Sequence, residues 1–179
     1  MKKKSLQKGK HVLTMGSACT GMGTESFALS AMRRPHHMLF ACELKRHMRA
    51  FISKHHAPRK TLKDVENPTF QTVPFVNLFV AGFPCQPFSL AGMGKGVEDA
   101  RGVVVAHLVR WIKKRQPDAW ILENVEGLLV QHYDILKAII ESLRFKGASG
   151  KAVYSVSVKL LNSLDFSVPQ ALSSELQID

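Results

Sequence analysis

The cysteine at position 85 stands in a short segment, Gly82-Phe83-Pro84-Cys85-Gln86-Pro87-Phe88-Ser89, whose composition suits nucleophilic chemistry. Prolines on both sides of the thiol lower the conformational entropy of the loop, so the cysteine is held in place at small cost. A thiol held in a loop at the ligand-binding edge of a sheet is a candidate nucleophile. The alternative is a buried structural cysteine, and position alone does not separate the two.

A carboxyl group follows another apolar run, at Glu123-Asn124-Val125. Burial and the charge of a nearby thiolate would both favour its protonated form. A protonated carboxyl can donate a hydrogen bond or a proton to a ring nitrogen. The alternative is a helix cap or a buried, hydrogen-bonded carboxylate.

A glycine-bearing turn, Cys19-Thr20-Gly21-Met22-Gly23-Thr24, lies between a predicted strand and a predicted helix. Its glycines let the backbone approach a ligand closely, and the helix N-terminus offers free N–H groups. About 20 residues later Glu43 ends a second predicted strand, where a carboxylate can accept from both hydroxyls of a ribose. Together they predict a nucleoside-containing cofactor; separately they are a tight turn and an ordinary exposed carboxylate.

These segments need a sheet that brings strand ends together. Short apolar runs alternate with amphipathic stretches, which is typical of an α/β domain with a mostly parallel sheet and helices on both faces. We predict strands at residues 11–18, 38–42, 76–81, 119–122 and 154–160, and helices at residues 25–32, 45–54, 100–114 and 133–144. Because ligands bind at the carboxyl ends of such strands, all three candidate segments fall at the functional edge.

Composition and charge limit the number of domains, the location of the chain and the kind of partner. A chain of 179 residues with 45% hydrophobic content suits one domain with a substantial core. No apolar run approaches the roughly 18 to 20 residues that a membrane span needs, so we expect an intracellular chain. Twenty-five Lys and Arg against 14 Asp and Glu give a net charge of +11, which favours a polyanionic partner.

The three cysteines, Cys19, Cys42 and Cys85, include no CxxC pair. That count argues against both a disulfide framework and a cysteine-rich zinc site. The pairs His36-His37 and His55-His56 lack the i, i+4 spacing of a helical metal site, so no metal is expected.

In their order along the chain, residues 19–24, 82–89 and 123–125 resemble the DNA cytosine-5 methyltransferase family. The loop around Cys85 matches the family's Pro-Cys-Gln pattern, and residues 123–125 match its Glu-Asn-Val pattern. Further similarity is carried by residues 17–29, Asp64-Val65, Asp99, Arg101-Gly102, Asn162, Asp165 and residues 168–170, so the resemblance covers about residues 11–170.

The resemblance implies a Rossmann-like S-adenosylmethionine-dependent fold that methylates C5 of a cytosine flipped out of DNA. It implies that Cys85 is the nucleophile that attacks C6 and that Glu123 binds N3 and the exocyclic amine. The implied cofactor contacts are Cys19, Thr20, Gly21, Met22, Gly23, Glu43, Leu44, Asp64, Val65 and Pro84. The implied substrate contacts are Gln86, Ser89, Arg101, Asn124 and Val125.

The sequence also departs from the family. Ser17-Ala18-Cys19 replaces the usual Asp-Leu-Phe, Thr24 replaces a glycine, and no arginine cluster follows Gln170. We therefore expect a basic tail at residues 1–10, a partial catalytic domain at 11–170, a divergent tail at 171–179 and no target-recognition domain. This truncation would impair activity unless a second polypeptide supplies the missing part.

Two alternatives stay open, namely a non-catalytic fragment that binds cofactor or nucleic acid and a transfer RNA cytosine-5 methyltransferase. A dehydrogenase is disfavoured because the GxGxxG pattern is incomplete and because it leaves Cys85 and Glu123 unexplained. The expected location is the nucleus in a eukaryote, or the cytoplasm or nucleoid in a bacterium or phage.

Overall fold

The computed structural model describes residues 12–84, 103–130, 132–167 and 175–178. Its strands are β1 (Leu13–Ala18), β2 (His36–Cys42), β3 (Lys60–Leu62), β4 (Leu78–Gly82), β5 (Ala119–Val125), β6 (Val158–Leu161) and β7 (Glu175–Ile178). Its helices are α1 (Thr24–Ala31), α2 (Arg46–His55), α3 (Val103–Arg115), α4 (Gly127–Val130) and α5 (Tyr133–Leu143). Short 3-10 helices cover Pro68–Thr72 and Ser163–Phe166. Within these residues no helix is both long and apolar enough to cross a bilayer.

The seven strands form one sheet in the order β3-β2-β1-β4-β5-β7-β6. Strands β1 to β5 run parallel, and β7 is antiparallel to both β5 and β6. From β1 the chain moves outward through β2 to β3 and then returns to place β4 on the other side of β1. A reversal of this kind leaves a crevice at the carboxyl ends of the two central strands, where ligands bind in α/β sheets.

Helices cover both faces of the sheet, as the sequence predicted. Successive strand residues point to opposite faces, so Leu78 and Phe79 of β4 belong to different apolar clusters. Leu78 packs in a small cluster with Ile52 of α2, and Phe79 packs in the main core. In that core the ring of Trp111 from α3 lies 4.5 Å from the ring of Phe79.

The predicted strand at residues 154–160 is wrong at its start, because β6 begins only at Val158. The apolar alternation at Tyr154 and Val156 reflects packing rather than sheet pairing. The hydroxyl of Tyr154 donates to the carbonyl of Pro117 over 2.8 Å, and its ring lies edge-on to Trp120. Burial of this ring raises the pKa of Tyr154, and the charge of Asp118 raises it further.

Two short strands lie outside the predicted set. Strand β3 extends the sheet beyond β2, and its Leu62 is buried. Strand β7 lies within the segment assigned above to a C-terminal tail, and it pairs with β5. Strand β5 is thereby paired on both sides, by β4 and β7, and β6 forms an edge of the sheet.

Candidate active site

At the carboxyl end of β2, backbone amides hold the carboxylate of Glu43. The amide of Gly21 donates to Oε2 and the amide of Lys45 donates to Oε1, each over 2.8 Å. The amide of Glu43 itself donates to the carbonyl of Leu62 over 3.1 Å. Because a carboxylate oxygen has about two lone-pair directions, each oxygen keeps acceptor capacity for a ligand.

The turn from Cys19 to Gly23, called the glycine turn below, is tied to the same strand end. The amide and the hydroxyl of Thr20 both donate to the carbonyl of Cys42 over 3.2 Å. Within the turn the amide of Gly23 donates to the carbonyl of Thr20 over 2.8 Å. Gly23 has φ of 73° and is the N-cap of α1, a left-handed conformation that favours glycine.

A cavity of about 400 Å³ opens beside Glu43, within the usual size range of small-molecule sites. It brings together seven of the residues predicted to bind a cofactor, namely Cys19, Gly21, Glu43, Leu44, Asp64, Val65 and Pro84. Met48 of α2 and Val104 of α3 add apolar wall. The cavity therefore combines charged groups with apolar side chains, which suits a ligand that contains both a ring and a polar chain.

A second cavity of about 690 Å³ adjoins the first, and Cys19, Gly21 and Gly82 line both. Thr20 and Met22 of the predicted cofactor set lie here, together with Glu123 from β5. The structure thus brings Glu123 and the glycine turn to one space. Gly23 lines neither of these cavities.

Glu123 lies directly over the end of β4. The Cα atoms of Gly82 and Glu123 are paired in the sheet. A Cβ atom added at Gly82 would come within 2.8 Å of the Glu123 Oε2 atom, so only glycine leaves room for the carboxylate in this position. The close approach therefore depends on the first residue of the predicted catalytic segment.

The structure does not bring Asn124 and Val125 into these cavities. Asn124 is 2% exposed, and its amide group donates to the carbonyl of Phe83 over 2.9 Å. Neighbouring residues of a strand point to opposite faces, so Asn124 lies on the other face from Glu123. In this arrangement Asn124 holds the backbone that leads from β4 towards Cys85.

Two cysteines at the site are unsuited to nucleophilic attack. The pKa of Cys19 is raised to about 12, mainly by burial and to a lesser extent by the carboxylates of Glu43 and Asp64. Burial likewise raises the pKa of Cys42 to about 12, with smaller contributions from Cys19 and the same carboxylates. Because the thiolate is the reactive form, both are poor nucleophiles at neutral pH.

The remaining predicted site residues fall outside the described part of the chain. These are Cys85, Gln86, Ser89 and Arg101. Pro84, the residue before Cys85, is described and lines the first cavity.

Sequence reasoning missed two side chains near the glycine turn. Glu25, in the first turn of α1, lines the second cavity; burial raises its pKa, and a hydrogen bond from Ser17 opposes the shift. His56 contacts the turn from the end of α2. A carboxylate at a helix start is an ordinary sequence feature, and the contact of His56 joins residues 34 positions apart, so neither gave a local signal.

Comparison with known proteins gives one family. The family model described as C-5 cytosine-specific DNA methylase matches residues 13–171. Type II methyltransferase M.NgoBI of Neisseria gonorrhoeae is 38% identical over 112 residues, which are 62% of this chain and 33% of that protein. Type II methyltransferase M.NlaIV of Neisseria lactamica is 33% identical over 140 residues, 74% of this chain and 32% of that protein.

Among solved structures, that of S. pombe Dnmt2 methyltransferase superposes with a TM-score of 0.71 at 17% identity. The match covers 93% of this chain and 50% of that one, and it shows a common Rossmann-like fold. The chain spans about a third of the length of the two curated relatives and half of the solved structure.

Proposed function

The chain belongs to the C-5 cytosine-specific DNA methylase family, and from that premise we propose that it transfers a methyl group from S-adenosylmethionine to C5 of cytosine in DNA. The observation that carries the proposal is the shared cavity: Glu123 and the glycine turn line one space, and Glu123 lies over Gly82, three positions before Cys85. A carboxyl group for the base and a turn for the cofactor are thereby adjacent.

The residues of the first cavity fit the family's cofactor, S-adenosylmethionine. Glu43 keeps acceptor capacity on both oxygens, as two ribose hydroxyls require. We assign Asp64, which lines the same cavity, to the adenine amino group, and Val65 and Met48 to the apolar wall beside the ring. Five of the 14 acidic residues line the two cavities of a chain with net charge +11, and they suit a cationic sulfonium: Glu25, Glu43, Asp64, Glu66 and Glu123.

When bound, this cofactor supplies an electrophilic methyl group. The chain must make C5 of cytosine nucleophilic, and we assign that step to Cys85. Its thiolate attacks C6 and forms an S–C6 bond, while the electron pair of the 5,6 double bond becomes available at C5. Glu123 binds N3 and the exocyclic amine and stabilises the charge that develops in the ring. After C5 is methylated, a base removes the C5 proton, and the electron pair reforms the double bond and expels the thiolate.

The proposed macromolecular substrate is DNA whose target cytosine is flipped out, since C5 and C6 are not reachable inside the stack. The net charge of +11 supports a polyanionic partner. We expect the affinity for DNA to fall as salt rises, because each phosphate contact releases condensed counterions. A second polypeptide for target recognition, and the division of the chain into tails and a partial domain, stay predictions.

The test is covalent trapping of the full chain on DNA that contains 5-fluorocytosine, in the presence of S-adenosylmethionine. Fluorine at C5 cannot leave as a proton does, so a competent Cys85 stays attached to the base. We expect a denaturation-resistant adduct that maps to Cys85 by mass spectrometry, no adduct for Cys85→Ser, and slowing by about 10²–10⁴-fold for Glu123→Gln.

Parallel trapping on transfer RNA and a measurement of cofactor binding distinguish the alternative functions. Trapping on fluorinated transfer RNA but not on DNA would show that the substrate is RNA. Cofactor binding without an adduct on either would favour a binding fragment. An adduct that persists in Cys85→Ser would contradict the mechanism.

A further inference from the structure

The imidazole of His56 contacts the glycine turn from the C-terminal end of α2. Its Nε2 atom lies 2.8 Å from the carbonyl oxygen of Met22. A carbonyl can only accept, so Nε2 carries a proton and donates it to this bond. The ring also lies so close to Gly23 that an added Cβ would come within 2.7 Å of the His56 Cδ2 and Nε2 atoms.

Two aromatic rings, one from α1 and one from α2, pack against the His56 ring. The ring of Phe27, from α1, lies edge-on with its centroid 4.4 Å from that of His56. The ring of Phe51, from α2, is also edge-on at 6.4 Å. His56 is therefore fixed between α1, α2 and the turn, and its hydrogen bond is directed at one carbonyl.

The bonds of Thr20 and Gly21 hold the first part of the glycine turn to the end of β2, and His56 bonds its second part. Gly21 and Gly23 both have positive φ, and glycine loses more conformational freedom on ordering than any other residue. The N-cap position of α1, which is Gly23, makes no side-chain hydrogen bond. Met22 lies between the two glycines, so a hydrogen bond to its carbonyl fixes the orientation of the peptide group between Met22 and Gly23.

We propose that His56 is a positioning residue for cofactor binding, because its hydrogen bond to the Met22 carbonyl and its packing on Gly23 hold the glycine turn in the shape that contacts the cofactor. This proposal rests on the proposed function. It assigns to a residue outside the family's patterns the task of ordering the turn before the cofactor arrives, which lowers the entropy cost of binding.

The neighbouring histidine offers a matched control. His55 is exposed and stacks on Phe51, with ring centroids 4.2 Å apart. Its described contacts do not include the turn. His55→Ala thus removes an imidazole from the same helix end and leaves the Met22 carbonyl bonded.

The first measurement is calorimetric titration of S-adenosylhomocysteine into the full chain. We expect about three- to tenfold weaker binding for His56→Ala, the loss of roughly one hydrogen bond with its packing. His56→Gln keeps an N–H donor and should recover part of the affinity. His55→Ala should bind as the unchanged protein does.

The second measurement needs no ligand. Amide hydrogen exchange of Gly21 and Gly23 should accelerate by about three- to tenfold in His56→Ala, since local opening of the turn becomes easier. It should stay unchanged in His55→Ala. The substitution Gly23→Ala tests the packing: because its Cβ meets His56, its effect on ligand affinity should be smaller in a His56→Ala background than alone.

The outcomes separate the two proposals. If the unchanged chain binds no S-adenosylhomocysteine, the proposed function fails and the cofactor role of His56 fails with it. If the unchanged chain binds but His56→Ala matches it in affinity, or leaves the exchange of the turn amides unaltered, the positioning role is overturned while the function stands. Weaker binding with faster exchange, and recovery by glutamine, supports the role.

Discussion

At the carboxyl ends of β1 and β2, called the cofactor half below, three side chains bond backbone groups of the strand ends and of the glycine turn. Glu43 accepts from two amides, Thr20 donates twice to Cys42, and His56 bonds Met22. At the carboxyl ends of β4 and β5, called the reaction half below, the side chain of Asn124 connects the two strand ends by its bond to the Phe83 carbonyl. The two halves of the crevice therefore differ in what these bonds hold: a carboxylate and a turn that line the cavities in one half, and two strand ends in the other.

The difference matches what each half has to do. A cofactor of constant shape is bound best by a preorganised site, because little entropy is then lost on binding. Under the proposed function, the reaction half admits a base extruded from a duplex. We therefore expect the cofactor half to lose ligand affinity sharply when Glu43 is changed, and the reaction half to lose stability and positioning when Asn124 is changed.

The largest effect should follow from Glu43→Ala. This variant removes two charge-assisted bonds, to the amides of Gly21 and Lys45, as well as the acceptor for the ribose. Each ribose hydroxyl bonded to a carboxylate contributes about 1.5–3 kcal/mol, so losing both bonds should lower the affinity for S-adenosylhomocysteine by at least about 100-fold in calorimetry.

Glu66→Gln supplies the control for that variant. Glu66 lines the same cavity and is exposed, and its substitution removes a charge without removing the bonds that Glu43 makes. It should weaken binding by less than about threefold, as for an exposed charge. Equal losses in the two variants would mean that net negative charge, rather than the bonded position of Glu43, sets the affinity.

Much of the cofactor half was predictable from sequence. Strand β1 and the end of β2 are short apolar runs that stop at a glycine turn and at a glutamate, and the predicted and observed elements agree within a few residues. Glu123 was equally visible because it ends the apolar run of β5 and, in a parallel sheet, strand ends meet at one edge.

The rest depended on contacts that no local pattern contains. Glu175–Ile178 joins the sheet as β7 although its sequence, ELQI, has no run of apolar residues. Tyr154 and Val156 alternate with serines as a strand does, yet Tyr154 packs beside Pro117 and Trp120, and Val156 is buried in the main core. Asn124 was predicted to contact substrate, and its bond to Phe83 became visible only in the register of β4 and β5.

A smaller effect should follow from Asn124→Ala in the reaction half. The variant leaves the Phe83 carbonyl without its donor at a position that is 2% exposed. A buried group left without a hydrogen-bond partner costs about 1–3 kcal/mol. We expect the free energy of unfolding, measured by denaturant titration, to fall by that amount. Adduct formation at Cys85 should slow as well, while affinity for S-adenosylhomocysteine changes little.

Asn67→Ala is the matched control for Asn124→Ala. Asn67 is an exposed asparagine that caps the short helix Pro68–Thr72 by accepting from the Thr69 amide over 2.9 Å. Losing this cap should cost about 1 kcal/mol and leave the rate of adduct formation unchanged. If Asn67→Ala slows trapping as much as Asn124→Ala does, general destabilisation explains both, and Asn124 has no special link to the reaction half.

The smallest effect concerns the thiols of the cofactor half. Burial is the main cause that raises the pKa of Cys19 and Cys42 to about 12, and the negative charge of Asp64 contributes to both. At pH 8 a pKa of about 12 leaves on the order of one thiol in 10⁴ ionised. Asp64→Asn removes the charge, and its amide oxygen can still accept from the Glu66 amide as Asp64 does.

Without that charge both thiol pKa values should fall, the thiolate fraction at fixed pH should rise, and alkylation should be faster. Because burial persists, we expect only about a two- to threefold rise in the iodoacetamide rate of the Cys19 and Cys42 peptides, followed by mass spectrometry. Asp118→Asn removes a carboxylate that acts on Tyr154 and should not change either rate. Equal alkylation rates in Asp64→Asn and the unchanged chain would show that the Asp64 charge does not raise the two thiol pKa values. Burial would then be enough to keep Cys19 and Cys42 protonated.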